Sequence, residues 1–215
     1  MDTILIFAGG DPIPLHLIEE LPDSDMVIAA DSGYSVAESL GLKVNTLVGD
    51  MDSVTDQVSL DALPSSVSVV RHPEDKDATD LDLALELAAR EQPHRVVLVG
   101  AEGGRFDHEV GAATTICDDR WAAIPEIDWV RSDSLVHVVR NTRRIQGDPG
   151  GLISIIPMGG EAEGVSTSGL KWELNEDTLS PGSSWGVSNR FARTEAVIRV
   201  QRGVVLAIIP DQDST

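Results

Sequence analysis

Two aspartates spaced two residues apart give the sequence its clearest chemical signal. Asp50 and Asp52 stand in the segment Gly49-Asp50-Met51-Asp52-Ser53, which follows a short apolar run. In an extended backbone their side chains point the same way, with Cα atoms roughly 7 Å apart. Paired carboxylates repel each other unless a cation lies between or beside them, and Mg²⁺ prefers a few carboxylates together with phosphate oxygens and water. Taken alone the pair is a weak signal, because many such pairs lie in turns or solvated loops. Together with the three further acidic or glycine-rich segments described next, it predicts a magnesium site, which Asp31 and Asp80 can complete.

Three further polar segments stand next to predicted strands and helices. They are Ala30-Asp31-Ser32-Gly33, Lys76-Asp77-Ala78-Thr79-Asp80 and Gly103-Gly104-Arg105-Phe106-Asp107-His108. Because open α/β sheets bind ligands at the carboxyl ends of their strands, the four segments predict one site on one rim of a sheet. Gly103 and Gly104 allow the backbone to approach a ligand closely, and Arg105 offers a planar fork for phosphate.

Some of these residues also have simpler structural roles. Asp80 can act as an N-cap or as a first-turn carboxylate that stabilises a helix start. Arg105 can form a salt bridge with Asp107 instead of binding phosphate. The sequence contains no G-x-x-x-x-G-K-[ST] motif, which excludes a P-loop NTPase.

The charge balance restricts the partners. Sixteen Lys and Arg against thirty-six Asp and Glu give a net charge of −20, so nucleic acid and anionic membranes are poor partners. A polyanion such as ATP then needs local neutralisation, which a divalent metal on carboxylates provides. Cys117 is the only cysteine, which excludes an intramolecular disulfide, and we predict a buried, inert thiol within a helix. The sequence shows no signal peptide and no membrane-spanning stretch, so we expect a cytoplasmic protein.

The elements up to about residue 132 alternate between strand and helix. Predicted strands cover residues 4–8, 26–30, 46–48, 67–70, 95–99 and 127–130, and predicted helices cover 15–21, 35–40, 80–90 and 110–122. Leu81, Ala84, Leu85 and Ala88 form one apolar stripe on the third helix. This alternation predicts a doubly wound, mostly parallel sheet, and we assign residues 1–132 to an α/β catalytic domain.

After residue 132 the pattern becomes one of short β runs separated by Gly and Ser. Predicted strands cover residues 135–139, 152–156, 196–200 and 204–209, with glycine-rich segments at 147–151, 159–160 and 180–186. Residues 133–215 are therefore predicted to form a small all-β sandwich or barrel domain. Trp172, flanked by Gly169 and Lys171, is predicted to be partly exposed and able to stack on a flat heterocycle. Trp121, Trp129 and Trp185 are predicted to serve packing.

Six motifs together resemble those of the thiamine pyrophosphokinase family. The family reads A-D-G-G, G-D-x-D-S, K-D-x-T-D, G-G-R-x-D-H, T-x-G-L-x-W and S-N. Here they stand, in the same order, at residues 30–33, 49–53, 76–80, 103–108, 167–172 and 188–189. Each motif alone is weak, but six in order across nearly the whole chain are specific.

The resemblance implies an N-terminal domain that binds ATP and Mg²⁺, a C-terminal domain that helps to bind thiamine, and a homodimer with active sites between subunits. It implies magnesium ligands and catalytic carboxylates at Asp50, Asp52 and Asp80, with Asp107 as a further catalytic residue. It assigns a group of residues to the ATP and phosphate site: Asp31, Ser32, Gly33, Ser53, Lys76, Asp77, Thr79, Arg105 and His108. It assigns Trp172, Ser188 and Asn189 to thiamine binding.

The implied reaction transfers pyrophosphate from ATP to the hydroxyl of thiamine and releases AMP. Asp80 and Asp107 are both candidates to accept the alcohol proton. Two departures from the family pattern bear on the substrate: Ser32 replaces the first glycine of A-D-G-G, and Ala112 stands where the family often has Asn. The alternatives are a pyrophosphokinase acting on another heterocyclic alcohol such as a pterin, a glycosyltransferase using D-x-D, and a non-catalytic nucleotide- or thiamine-binding protein.

Overall fold

The computed structural model describes residues 1–49, 63–72 and 77–211. The chain divides into two compact units. The first unit comprises Met1–Thr115 and Ala123–Ser132, and the second comprises Ile116–Ala122 and Asp133–Thr215. The predicted order, an α/β fold followed by a β-rich part, is confirmed.

The first unit is built on a parallel sheet. Its strands are β1 (Thr3–Phe7), β2 (Met26–Ala30), β3 (Thr46–Gly49), β4 (Ser68–Arg71), β5 (Arg95–Val99) and β6 (Glu126–Val130). They pair in the order β4-β3-β2-β1-β5-β6, and every pair is parallel. The central strands are buried on both faces, which explains why they read as apolar runs without alternation.

Helices connect these strands: α1 (Leu15–Glu19), α2 (Gly33–Ser39), α3 (Asp80–Arg90) and α4 (Phe106–Thr115). The apolar stripe predicted for α3 is its buried face. The fourth helix was predicted wrongly as residues 110–122. It begins four residues earlier, at Phe106, and ends at Thr115, after which a separate 3₁₀ turn covers Asp119–Trp121.

Cys117 consequently lies just beyond α4 rather than within a helix. The prediction of a buried thiol is confirmed, and burial raises the pKa of Cys117 to about 12. Arg140 donates hydrogen bonds to the carbonyl oxygens of Ile116 and Asp118 and pairs with Asp119, which holds this turn in the second unit.

The second unit is an antiparallel assembly around one long strand. Its strands are β7 (Ser134–Val139), β8 (Thr142–Gln146), β9 (Leu152–Ser168), β10 (Asp177–Leu179), β11 (Asn189–Arg190), β12 (Glu195–Arg199) and β13 (Arg202–Pro210). β9 pairs with four of them: β10, β11, β12 and β13. The buried core contains Ile153, Val165, Phe191 and Ile198.

β9 is longer than the sequence predicts. The sequence indicates a break between strands at Gly159 and Gly160, but both glycines lie inside β9. The register with β13 shifts between Arg202 and Val204, opposite these glycines, and Gly159 has a φ of +69°. Glycine here accommodates an irregularity in the pairing rather than ending the strand.

No helix in the described part of the chain is long and apolar enough to cross a membrane.

Candidate active site

A pocket of about 420 Å³ lies at the carboxyl ends of the central strands of the first unit. β1 and β5 are neighbours in the sheet, but the chain leaves β1 towards β2 and leaves β5 towards β6. Ligands bind in the crevice at such a reversal of strand order. The described ionisable residues that line the pocket are Asp31, Asp80, Glu102, Asp107 and His108.

The segments after β1 and β5 meet through their backbones. The Ala101 N–H donates to the Gly9 carbonyl oxygen at 2.8 Å, and the Asp11 N–H donates to the Glu102 carbonyl oxygen at 3.3 Å. Gly10 has a φ of +152°, and a side chain there would collide with the Glu102 backbone. Gly9 and Gly10 both line the pocket, although neither belongs to the motifs that predicted the site. Their signal was the glycine pair directly after a buried strand.

Asp31 lines the pocket at the end of β2. Its φ of +46° lies in the left-handed region, which Asp tolerates better than most residues, and its N–H donates to the Val48 carbonyl oxygen at 3.0 Å. The Asp31 carboxylate packs against Gly49, where any side chain would collide with it. Gly49 is the last residue of β3 and precedes Asp50 in the sequence.

The two residues after Asp31 have different roles. Ser32 lines the pocket, and its Oγ lies against Gly9 so closely that a side chain at Gly9 would collide with it. Gly33 is buried and is absent from the described pocket lining. A side chain at Gly33 would collide with the Phe7 carbonyl, so this glycine allows α2 to pack onto β1.

The start of α3 contributes Thr79 and Asp80 to the pocket. Thr79 is the N-cap: its Oγ1 accepts a hydrogen bond from the Asp82 N–H at 3.2 Å. The hydroxyl hydrogen of Thr79 stays available as a donor. Asp80 is in the first turn, where its charge favours the helix dipole, so its structural role and its place in the pocket coexist. Asp77 is exposed and is not among the lining residues.

The start of α4 carries an ion pair. Arg105 Nη2 lies 2.6 Å from Asp107 Oδ2, and Arg105 Nε lies 3.2 Å from Asp107 Oδ1. The hydrogen bond from Arg105 holds the pKa of the Asp107 carboxyl below its usual value. Asp107 and His108 line the pocket, whereas Arg105 does not. The salt bridge that the sequence left as an alternative is therefore present, although both side chains are largely exposed and the pair adds little stability.

Behind this segment lies a less exposed network of charges. Glu102 Oε2 pairs with Arg131 at 3.0 Å, and Glu102 Oε1 accepts a short hydrogen bond from the Ser132 N–H. Arg131 also pairs with Glu109 Oε2 at 3.3 Å, and Glu109 Oε1 accepts a hydrogen bond from the Gly103 N–H at 3.1 Å. The network ties the segment after β5 to α4 and to the end of β6. None of its acidic members was predicted from the sequence.

Trp129 supports the same segment. Its Nε1–H donates to the Gly100 carbonyl oxygen at 2.6 Å, and the Arg131 guanidinium lies 4.7 Å from its ring centre. The prediction that Trp129 serves packing is confirmed, as it is for Trp121, since both are buried.

Ala112 also lines the pocket at the carboxyl ends of the strands, which we call the acidic pocket because Asp31, Asp80, Glu102 and Asp107 line it. It is 5% exposed, and it belongs to α4, one helical turn after His108. The departure from the family pattern therefore falls on a lining residue, where a methyl group stands in place of a polar side chain.

In the second unit, Trp172 is 54% exposed, as predicted. Its backbone is held by Asn189, which is buried: Oδ1 accepts from the Trp172 N–H at 3.2 Å, and Nδ2 donates to the Trp172 carbonyl oxygen at 2.7 Å. Lys171 Nζ lies 4.5 Å from the centre of the Trp172 ring. The structure thus gives Asn189 a positioning role, because both ends of its side-chain amide are occupied by the Trp172 peptide groups.

Two other residues nearby in the sequence differ in placement. Ser188 has a φ of +60°, and its N–H donates to Ser154 Oγ at 3.0 Å. Trp185 was predicted to serve packing, and this is wrong: it is 54% exposed. It lies in a turn, where its N–H donates to Ser183 Oγ, and such a position does not bury the ring.

Some of the predicted site residues lie outside the described residues. They are two of the three predicted magnesium ligands, Asp50 and Asp52, and two residues of the predicted phosphate site, Ser53 and Lys76. Across residues 1–49, 63–72 and 77–211, no three His, Cys, Asp or Glu side chains are grouped closely enough to hold a metal ion. The metal site therefore stays a prediction that depends on Asp50 and Asp52.

The fold of the first unit and the position of its pocket together define a class of enzyme. The first unit is a doubly wound α/β fold with a carboxylate-lined pocket at its topological switch point, which is the arrangement of enzymes that act on a small ligand at the carboxyl ends of their strands. Comparison with known proteins identifies the family within this class. Residues 18–123 match the model of the thiamin pyrophosphokinase catalytic domain, and residues 136–205 match that of the thiamin pyrophosphokinase vitamin B1 binding domain. The chain belongs to the thiamin pyrophosphokinase family.

Individual relatives agree. Thiamine pyrophosphokinase of Bacillus subtilis is 26% identical over 223 residues, which cover 97% of this chain and 98% of the relative. Thiamine pyrophosphokinase 1 of Oryza sativa subsp. japonica is 30% identical over 161 residues, covering 68% of this chain and 59% of the relative. The crystal structure of the Bacillus subtilis protein superposes with a TM-score of 0.83 at 25% identity, covering 98% of this chain and 100% of the other.

Proposed function

We propose that this protein transfers a pyrophosphoryl group from ATP to the hydroxyl of thiamine, giving thiamine diphosphate and AMP. The observation that carries the proposal is the pocket at the switch point. It brings Asp31, Asp80 and Asp107, which come from three separate sequence motifs, onto one lining. Family membership supplies the identity of the two substrates.

The acidic lining requires a cation if the pocket is to hold a polyphosphate, because carboxylates and phosphates repel each other. Its oxygen donors are of the kind that Mg²⁺ prefers. The Asp31 carboxylate packs on Gly49, which directly precedes the D-x-D segment. We therefore assign Mg²⁺ to Asp80 together with Asp50 and Asp52. The chemistry that the metal supplies when bound is neutralisation of phosphate charge.

In the reaction, the thiamine hydroxyl oxygen forms a bond to the β-phosphorus of ATP while the bond between that phosphorus and the α-phosphate oxygen breaks. AMP leaves, and the hydroxyl proton passes to a base. Asp107 is poorly suited to be that base, because its pKa is lowered by Arg105. Asp107 instead holds the Arg105 guanidinium through Nε and Nη2, which leaves the Nη1 group as the part of Arg105 that can bind a phosphate oxygen. Catalysis then depends mainly on positioning and on charge stabilisation.

Trp172 is proposed as the stacking surface for thiamine. The thiazolium ring carries a positive charge, and the face of an indole attracts cations. The contact between Lys171 and the Trp172 ring is consistent with this preference. Two hydrogen bonds from the Asn189 side chain hold the Trp172 backbone in place.

Product analysis tests the proposal. Purified protein with ATP, Mg²⁺ and thiamine should yield thiamine diphosphate and AMP in equal amounts. The same assay with a pterin alcohol or a nucleotide sugar separates the rival activities, since glycosyl transfer releases a nucleoside diphosphate. Equal AMP release without thiamine, or release only with another alcohol, would refute the assignment.

We further propose that the protein acts in the cytoplasm as a homodimer in which Trp172 of one subunit lies beside the aspartates of the other. Asp50→Ala and Trp172→Ala, each nearly inactive alone at limiting thiamine, would be unfolded, mixed and refolded together. About half of the dimers would be mixed, and each would hold one intact site, so activity should recover to roughly a quarter of that of the unmutated protein. No recovery, despite demonstrated exchange of subunits, would mean that each site is built within one chain.

A further inference from the structure

The segment between β5 and α4, residues 100–104, has an unusual backbone. Four of its five residues have φ values in the left-handed region: Gly100 (+86°), Ala101 (+58°), Gly103 (+81°) and Gly104 (+75°). Ala101 adopts this region at a cost, because its Cβ crowds the following carbonyl oxygen there. Such a backbone persists only where its surroundings determine it, and segments of this kind cluster at functional sites. The contacts that hold residues 100–104 therefore bear on the pocket beside them.

The first part of segment 100–104 is held by the segment that follows β1. The Ala101 N–H donates to the Gly9 carbonyl oxygen at 2.8 Å, and the Glu102 carbonyl oxygen accepts a hydrogen bond from the Asp11 N–H at 3.3 Å. Both bonds are made by the backbone. They fix the chain up to the residue before Gly103.

The second part of the segment is held by a side chain of α4. Glu109 is in the first turn of this helix, and its Oε1 accepts a hydrogen bond from the Gly103 N–H at 3.1 Å. Its Oε2 lies 3.3 Å from Arg131 Nη2. Gly103 also packs against the Asp11 carboxylate, whereas Gly104 has open space at its Cβ position. The hydrogen bond to Glu109 is thus the described contact that ties the Gly103 peptide to α4.

Arg105 depends on the position of Gly103. The Arg105 N–H donates to the Gly103 carbonyl oxygen at 3.0 Å, and the Arg105 carbonyl oxygen accepts from the His108 N–H at 3.0 Å. A shift of Gly103 would therefore move Arg105 and its Nη1 group, which is the part that can bind a phosphate oxygen. A displacement of about 1 Å in a group that positions a substrate can lower the rate about a hundredfold.

We propose that Glu109 is a positioning residue for pyrophosphoryl transfer, because its hydrogen bond with the Gly103 N–H sets the place of Arg105 beside the acidic pocket. The inference rests on the proposed function and deepens it. Glu109 is absent from the described lining of the pocket, so it acts through Gly103 and Arg105 and not by contact with a substrate.

Two substitutions separate this hydrogen bond from the ion pair with Arg131. Glu109→Gln keeps an oxygen that can accept from the Gly103 N–H but loses the charge that faces Arg131, and Glu109→Met loses both. Glu109→Met should lower kcat/KM for ATP at least tenfold, whereas Glu109→Gln should stay within threefold of the unmutated protein. The KM for thiamine should stay within twofold in both. Urea denaturation should show similar losses of stability in both, since both lose the ion pair, so stability and activity would not change together.

Arg105→Met tests whether Glu109 acts through Arg105. Adding Glu109→Met to Arg105→Met should lower kcat/KM for ATP no more than twofold further, whereas independent effects would multiply. Glu86→Met is the matched control, because Glu86 also pairs with an arginine but is 54% exposed on α3, and it should leave kcat/KM for ATP unchanged. Glu109→Ala replaces Glu109→Met, with the same expectations, should the latter fail to fold.

Three results would overturn the inference and leave the proposed function intact. They are a loss of kcat/KM for ATP below tenfold in Glu109→Met, equal losses in Glu109→Gln and Glu109→Met, and multiplied losses in the double variant. Failure of the unmutated protein to form AMP from ATP and thiamine would instead refute the proposed function, and the inference with it.

Discussion

Replacing Arg131 with Met should lower the free energy of unfolding by about 3–5 kcal/mol, the usual cost of removing one member of a buried ion pair. The magnitude follows from burial: the Glu102 side chain is 2% exposed and that of Arg131 is 15% exposed. The substitution removes the contact between the Arg131 guanidinium and Glu102 Oε2 and keeps the hydrogen bond from the Ser132 N–H to Glu102 Oε1. Methionine still packs against the Trp129 ring, so that contact contributes little to the difference.

Arg90→Met is the matched control, because it makes the same substitution in an exposed pair. Arg90 and Glu86 lie 2.8 Å apart on α3 with side chains 66% and 54% exposed. Such a pair between residues four apart contributes about 0.3–0.5 kcal/mol. Urea denaturation followed by circular dichroism would measure both variants, with an unchanged denaturant slope as the check on the unfolding model.

A double variant identifies the cause of the loss. Adding Glu102→Gln to Arg131→Met removes the buried charge that has lost its contact with Arg131 and should recover a large part of the stability, because the buried charge is the main source of the cost. If Arg131→Met fell within about 1 kcal/mol of Arg90→Met, the network would not be what holds the segment after β5, and the reasoning from burial would be refuted.

Three further predictions concern the site and the single thiol. Asp50→Asn or Asp52→Asn should lower turnover at least a hundredfold, roughly 2.7 kcal/mol in the transition state, as measured by AMP release. Asn189→Ala should raise the KM for thiamine more than it lowers kcat, since it frees the Trp172 peptide without touching ATP. Cys117, whose pKa is raised to about 12 by burial, should stay neutral in the folded protein and resist iodoacetamide at pH 8 until denaturant is added.

Each of these predictions has a result that would contradict it, and the Asn189 variant also has a matched control. Near-normal turnover of both aspartate variants would reduce Asp50 and Asp52 to loop carboxylates. For Asn189, the comparison is Asn175→Ala at an exposed position, and an equal effect on the KM for ATP would show general damage to the fold. Rapid alkylation of Cys117 under native conditions would contradict its burial.

The elements that the sequence predicted best are those in which local and tertiary preferences agree. α3 begins and ends where predicted, because a capping Thr79, acidic first-turn residues and one apolar stripe all specify the same helix. β2 and β5 also match residue for residue, since a strand buried on both faces is apolar along its whole length. The alternation of strands and helices along the first unit also predicted that the polar segments share one rim of the sheet. Asp31, Asp80 and Asp107 do line one pocket at that rim.

The misses share a cause in non-local contacts. β8 is not among the strands that the sequence predicted. Its residues alternate between buried and exposed, but Arg143 occupies one of the buried positions, so the sequence does not show the usual alternation of apolar and polar residues. The glycines of β9 indicated a break because their pairing with β13 cannot be read locally. Glu102 and Glu109 gave no signal, because their role depends on Arg131, which is far away in the chain.

The way the chain divides between its two units has a consequence for biosynthesis. Residues 116–122 belong to the second unit, although the residues on both sides of them, up to Thr115 and from Ala123 to Ser132, belong to the first. During translation this segment leaves the ribosome before Arg140, whose side chain binds the carbonyl oxygens of Ile116 and Asp118. A nascent chain that has reached Ser132 therefore carries these seven residues before Arg140, which binds two of their carbonyl oxygens, has been synthesised.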